Sequence, residues 1–202
     1  MYSFNRNFLP SVLLIVAVLG APVSAFGSSK KCPAGSVAQL HIDVDAHTPF
    51  GTAEGSECHI GKKNDFPWPD PKCTPGAFNP SVTVETLTSK KFVTDCIRNK
   101  ATSEKEKGKT YETYDVAHPS RADAGTCELD HLVPLELGGA DTLDNIWPQC
   151  GTAESGDVYF RTKDKVETCI AKKVKAGDMD LDNARKKIAA DWTQFLDECG
   201  AN

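Results

Sequence analysis

The chain has 202 residues and a formal net charge of −5, from 23 Lys and Arg against 28 Asp and Glu. This length suits one domain, or one domain with an elaborated N-terminal part. The acid excess excludes a uniformly basic surface of the kind that holds polyanions, and no P-loop, dinucleotide fingerprint or internal repeat is present.

The first residues read as a secretory leader. Met1 to Pro10 carry a single charge, Arg6; Ser11 to Leu19 form an apolar core; Val23-Ser24-Ala25 is a small-residue cleavage signature. The apolar run is short for a bilayer span, and Gly20 and Pro22 break it, so cleavage after Ala25 is expected. Cleavage removes Arg6 and no acid, which leaves the mature chain more acidic still and without a membrane anchor. Eight cysteines follow: Cys32, Cys58, Cys73, Cys96, Cys127, Cys150, Cys169 and Cys199. An even count behind a leader predicts four disulfides and a secreted protein, extracellular or periplasmic. Spacing alone leaves the pairing open. A zinc site is disfavoured because no Cys-x-x-Cys pair occurs.

Three segments are expected: the leader (1–25), an accessory segment (26–72) and a compact domain (73–202). In the accessory segment, Val37 to Val44 alternate as a half-buried strand would. Pro67, Pro69 and Pro71, with Trp68 among them, predict a stiff extended connector. His41, His47 and His59, with Asp43 and Asp45, match no metal-ligand spacing and are read as ordinary polar residues.

The compact domain opens at Thr74-Pro75-Gly76. Thr83 is positioned to cap a helix starting at Val84. Phe92, Val93, Cys96 and Ile97 give a short apolar face at helical spacing. Ser103 to Lys109 read as a charged loop or helix end, and Tyr111, Tyr114 and Val116 lead to His118-Pro119.

The most informative stretch comes next: Cys127-Glu128-Leu129-Asp130-His131-Leu132-Val133-Pro134-Leu135-Glu136-Leu137-Gly138-Gly139, continuing to Asn145-Ile146-Trp147-Pro148-Gln149. Pro134 and Gly138-Gly139 interrupt regular structure between two apolar runs. This pattern predicts two short strands joined by a long Ω-like loop, with a helix after them. Asp130 and His131 end the first strand, so their side chains point to opposite sides. Cys127 and Cys150 flank the stretch, and a bond between them would clamp the strands.

Phe160, Val166, Cys169, Ile170 and Val174 give the following helix a buried face, and Gly177 ends it. Asp164 and Glu167 lie on another face, where Lys163 and Lys165 offer salt-bridge partners. The lysines of this region, with Arg161, Arg185, Lys186 and Lys187, read mostly as solvated helix faces. A last helix, capped by Asp180, carries the stripe Leu181, Ala184, Ile188, Trp192, Phe195, Leu196 and Cys199, with Trp192 in the core.

On Asp130-His131, the Pro134…Gly138-Gly139 loop and Asn145, the chain resembles the HNH nucleases of the ββα-metal superfamily. His131 and Asn145 stand 14 residues apart, the usual spacing there. The Pro-Leu-Glu-Leu-Gly-Gly loop is similar to that of a small secreted branch, and the likeness runs from about Thr74 to Trp192. The resemblance implies an α+β fold with a ββα-metal core, additional helices and disulfide support. It implies a metal-dependent endonuclease, acting as a monomer on DNA or RNA, with a divalent cation such as Mg²⁺. His131 would be the general base, since imidazole exchanges protons near neutral pH, and Asn145 would tie the loop and hold His131. Asp130 would be a ligand of the cation, which prefers carboxylate oxygen.

The third ligand usual in the family, histidine or asparagine on the helix, is missing. Asp164 or Glu167 would supply a carboxylate in its place, Asp164 being favoured, and Arg161 or Lys163 would meet substrate phosphate. The alternative reading is a non-catalytic secreted binding module, or an effector with a protein partner, on the same scaffold.

Overall fold

The computed structural model describes residues 32–36, 58–98, 103–117, 127–151 and 158–201. The expected leader, the expected strand over 37–44, and His41, His47 and His118 lie outside them. Among the described residues the architecture is mixed α and β, with two separate two-stranded antiparallel sheets and four disulfides. The pairs are Cys32–Cys96, Cys58–Cys73, Cys127–Cys150 and Cys169–Cys199. Four such bonds fit an oxidising compartment. Among the described residues no helix is long and apolar enough to cross a membrane.

The first sheet pairs β1 (Gly61–Lys63) with β2 (Phe66–Trp68) through Asn64 and Asp65, both at positive φ. Two such residues in succession make the turn whose twist matches a hairpin. The stiff connector expected from Pro67, Pro69 and Pro71 is therefore a paired strand over its first part. A two-stranded ribbon has a free edge on each strand, so the missing N–H of Pro67 can face outwards. The hairpin lays Phe66 edge-on to Trp192, with ring centroids 4.8 Å apart, and stacks Trp68 on the same indole. Residues 58–72 thus pack on the C-terminal core.

Thr83 caps α1 (Val84–Thr88) by accepting from the Thr86 N–H. The apolar face expected over Phe92 to Ile97 is a short 3-10 turn, Thr94–Cys96, with Cys96 and Ile97 buried and Val93 exposed. The charged segment after it is a full helix, α2 (Ser103–Thr113), with Gly108 inside it.

The second sheet pairs β3 (Cys127–His131) with β4 (Ile146–Cys150). Helix α3 (Val158–Ala176) then lies against β4 and against the 3-10 turn Leu135–Leu137 of the connecting loop. It buries Phe160, Val166, Ile170 and Val174 as the 3.6-residue period requires. It ends at Gly177, whose φ of 84° lets the Asp178 N–H reach back to the Lys173 carbonyl. Asp180 caps α4 (Leu181–Asp191) through the Asn183 N–H. The last helix expected from the sequence is broken into α4, a 3-10 turn (Trp192–Phe195) and α5 (Leu196–Cys199), with Trp192 fully buried at the junction.

Candidate functional site

The site is built on the long loop between β3 and β4, and the loop is held by buried polar groups. Residues 132–145 would leave many backbone groups unpaired if they simply crossed the surface. Asn145, fully buried, prevents this. Its Oδ1 accepts from the Val133 N–H at 2.9 Å, and its Nδ2 donates to the carbonyls of Val133 and Ala140. The Leu132 N–H donates to the Asn145 carbonyl, so the two ends of the loop are stitched together just beyond His131.

Gly139 is required because a Cβ there would fall 1.8 Å from the Val133 carbonyl oxygen. Gly138, at φ 77°, lies against Val82 and Arg185. Arg185 is not on a solvated face, as expected, but buried. Its guanidinium donates to the Leu137 and Val82 carbonyls and pairs with Asp182. The segment 76–79 completes the clasp: Gly76 and Ala77 donate to the Asp144 carbonyl, and Asn79 to that of Gly138.

Strand alternation sends Asp130 and His131 to opposite sides. Asp130 is directly across the sheet from Trp147, and its Oδ2 accepts from the indole Nε1 at 2.8 Å. Its Oδ1 accepts from Lys163 Nζ at 2.9 Å. The Lys163 side chain is 1% exposed, and its ammonium also donates to the His131 carbonyl at 2.9 Å and pairs with Glu167 one turn along α3. Burial alone would push the ammonium towards neutrality, but the fields of Asp130 and then Glu167 outweigh it and hold the proton more firmly than usual. One cation between two carboxylates leaves a surplus negative charge. Burial pushes the Glu167 carboxyl up to about 8, against the opposing pull of Lys163.

On the other side, His131 Nε2 lies 2.8 Å from Asp141 Oδ1, both side chains being about nine-tenths covered. The end of β3 itself, Glu128 to His131, lines a pocket of about 170 Å³ together with Glu136, Asp164, Glu167 and Arg98. Three of the carboxyls there are held above their ordinary range. Glu128 is pushed up by burial and then by Asp164 and Asp130; Asp164 by burial and then by Asp130.

The structure brings together Asp130, His131, Lys163, Asp164 and Glu167, and puts Asn145 beneath them in the loop. It does not bring Arg161 to the pocket lining; that residue is exposed on α3. Lys163, expected to meet substrate phosphate, instead spends its three N–H donors inside the protein. A divalent cation held by Asp130 with Asp164 or Glu167 does not fit these residues. Both Asp130 oxygens are engaged, the Lys163 ammonium stands between Asp130 and Glu167, and among the described residues no three His, Cys, Asp or Glu converge on a metal position.

Two residues of the site escaped the sequence reading. Asp141 lies ten residues after His131, directly behind the Gly138-Gly139-Ala140 turn, and an acid on the return arm of a looped hairpin was the available signal. Arg98, two residues past the Cys32–Cys96 bridge, carried none, because only the tertiary fold brings it to Glu128. No family model, curated protein or solved structure matches the chain.

Proposed function

We propose that this chain is a secreted hydrolase of nucleic-acid phosphodiesters, an endonuclease on an HNH-like ββα core, with His131 as general base. The observation that carries this reading is the His131–Asp141 contact, made by a residue that also lines the pocket. A carboxylate that accepts from Nε2–H fixes the ring and leaves Nδ1 with the lone pair, the arrangement a general base needs. In the reaction, Nδ1 takes a proton from water as the water oxygen bonds to phosphorus. The phosphorus–oxygen bond to the leaving nucleotide then breaks, the released oxygen takes a proton from solvent, and His131 returns the proton it accepted to solvent. Arg98, exposed at the pocket lining, is the cation available there to meet phosphate charge. The magnesium implied by the resemblance is an assay variable in this reading, and no step depends on it.

The test is incubation of the purified mature protein with supercoiled plasmid and with RNA, each in Mg²⁺ and in chelator. His131→Ala should lower the rate by roughly 10²–10⁴ with circular dichroism unchanged. Asp141→Asn should lower it less and alter the pH–rate profile. A folded His131→Ala protein that cuts normally would remove the mechanism.

One observation favours a second reading, a non-catalytic binding module. Five carboxylates around one exposed guanidinium suit a cationic ligand better than a polyanion. Absence of cleavage in all four conditions would leave that reading in place.

A further inference from the structure

We infer that Lys163 is the resident cation of this site: its ammonium cross-links Asp130, Glu167 and the His131 carbonyl, so neither the attachment of the hairpin to α3 nor the pose of His131 depends on a bound divalent metal. The inference is independent of what the pocket hydrolyses.

The geometry carries it. Lys163 is a helix residue whose stem crosses from α3 to the end of β3, and its side chain is 1% exposed. An ammonium has three N–H donors, and three acceptors meet them: Asp130 Oδ1, the His131 carbonyl and Glu167 Oε1. The acceptors come from two elements, β3 and α3, that the chain joins only through the loop 132–145, β4 and residues 151–157. The cation is thus a bond between strand and helix as well as a counter-charge. All three are oxygens, two of them carboxylate, which is the donor set a hard cation would choose. The indole of Trp147 holds the second Asp130 oxygen, so the carboxylate cannot swing away to another partner without losing that bond.

Lys163 touches no atom that would react. It is a positioning residue, acting through the His131 backbone, whose ring Asp141 fixes from the other side. Its neighbour Asp164 points to the pocket instead, which is why two successive residues of one helix turn have separate work.

The experiment uses Mn²⁺ as the probe and reads thermal midpoint and titration heat, with no substrate present. The unaltered protein should melt at the same temperature in chelator and in about 1 mM Mn²⁺, since a metal that bound only the native state would raise the midpoint by several degrees. Lys163→Ala should melt roughly 10 °C lower in chelator, because the buried Asp130 carboxylate loses its counter-charge and Glu167 its partner. It should regain much of that loss in Mn²⁺, which can enter the vacated space among the three oxygens. Lys163→Met should suffer the same loss without the regain, its neutral stem filling the space.

A lysine with a purely structural role would give the loss but no metal response, and that result would overturn the inference. So would one equivalent of Mn²⁺ bound by the unaltered protein and abolished by Asp130→Asn. If Lys163→Ala does not fold, the titration of the unaltered protein decides alone: no Mn²⁺ uptake supports the inference, and uptake lost in Asp130→Asn ends it.

Discussion

The hairpin β1–β2 turns in two residues, Asn64 and Asp65, whereas β3–β4 is joined by the fourteen residues 132–145. The short hairpin turns by local chemistry, is bracketed by the Cys58–Cys73 disulfide, and rests on a surface that its aromatic side chains find in Trp192. The long one cannot close by local means, because the entropy and the unpaired backbone of its loop oppose it. It is closed by a disulfide at its base, by Asn145 within the loop, by Arg185 from α4 and by Lys163 from α3. Buried polar groups that are fully partnered make a rigid frame, and partly covered ones beside them are where a protein can keep reactive side chains. The pocket lined by His131 lies at the second hairpin, beside that frame.

The largest test of this contrast is Asn145→Ala. Three buried backbone groups would lose their partners, so stability should fall by roughly 3–4 kcal/mol in urea unfolding. A loss under about 1 kcal/mol would mean that the loop is not held as described.

A smaller effect should come from pH. Glu167, Glu128 and Asp164 all have carboxyls pushed up in the fold. A raised carboxyl stabilises the native state in its protonated form. Its contribution is complete below the unfolded value of about 4.5 and is lost as pH climbs through the folded value, about 8 for Glu167. Stability should therefore decline between these limits, and Glu167→Gln should flatten the decline. Lys163, whose proton is held more firmly than usual, stays charged throughout that window. A stability curve that rises over the same range would refute the assignment.

The smallest effect should come from the other hairpin. Asp65 sits at φ 66°, a conformation glycine adopts without cost. Asp65→Gly relieves that strain but loosens the unfolded chain, so the thermal midpoint should move by less than about 1 kcal/mol equivalent, with the pocket unchanged. A change as large as that of Asn145→Ala would erase the distinction between the two hairpins.

Much of this was legible from the sequence, and the reasons are local. Alternation put Asp130 and His131 on opposite sides of a strand, periodicity gave α3 its buried face, Thr83 and Asp180 announced their helices, and Gly177 ended one. An even cysteine count gave four disulfides, and Cys127 with Cys150 gave the clamp. Each signal depends on residues within a turn or a strand of one another. What needed the tertiary structure were the partners of charged side chains. Lys163 and Arg185 read as solvent-facing because Lys and Arg usually are, yet the fold surrounds both with acceptors, and a buried charge survives only where its partners converge. The Asp141 contact with His131, the arrival of Arg98 beside Glu128, and the reach of the Lys163 ammonium to Asp130 all join residues from separate elements, and no periodicity within one element encodes such a meeting; the Lys163–Glu167 pair, one turn apart on α3, was the part that spacing offered.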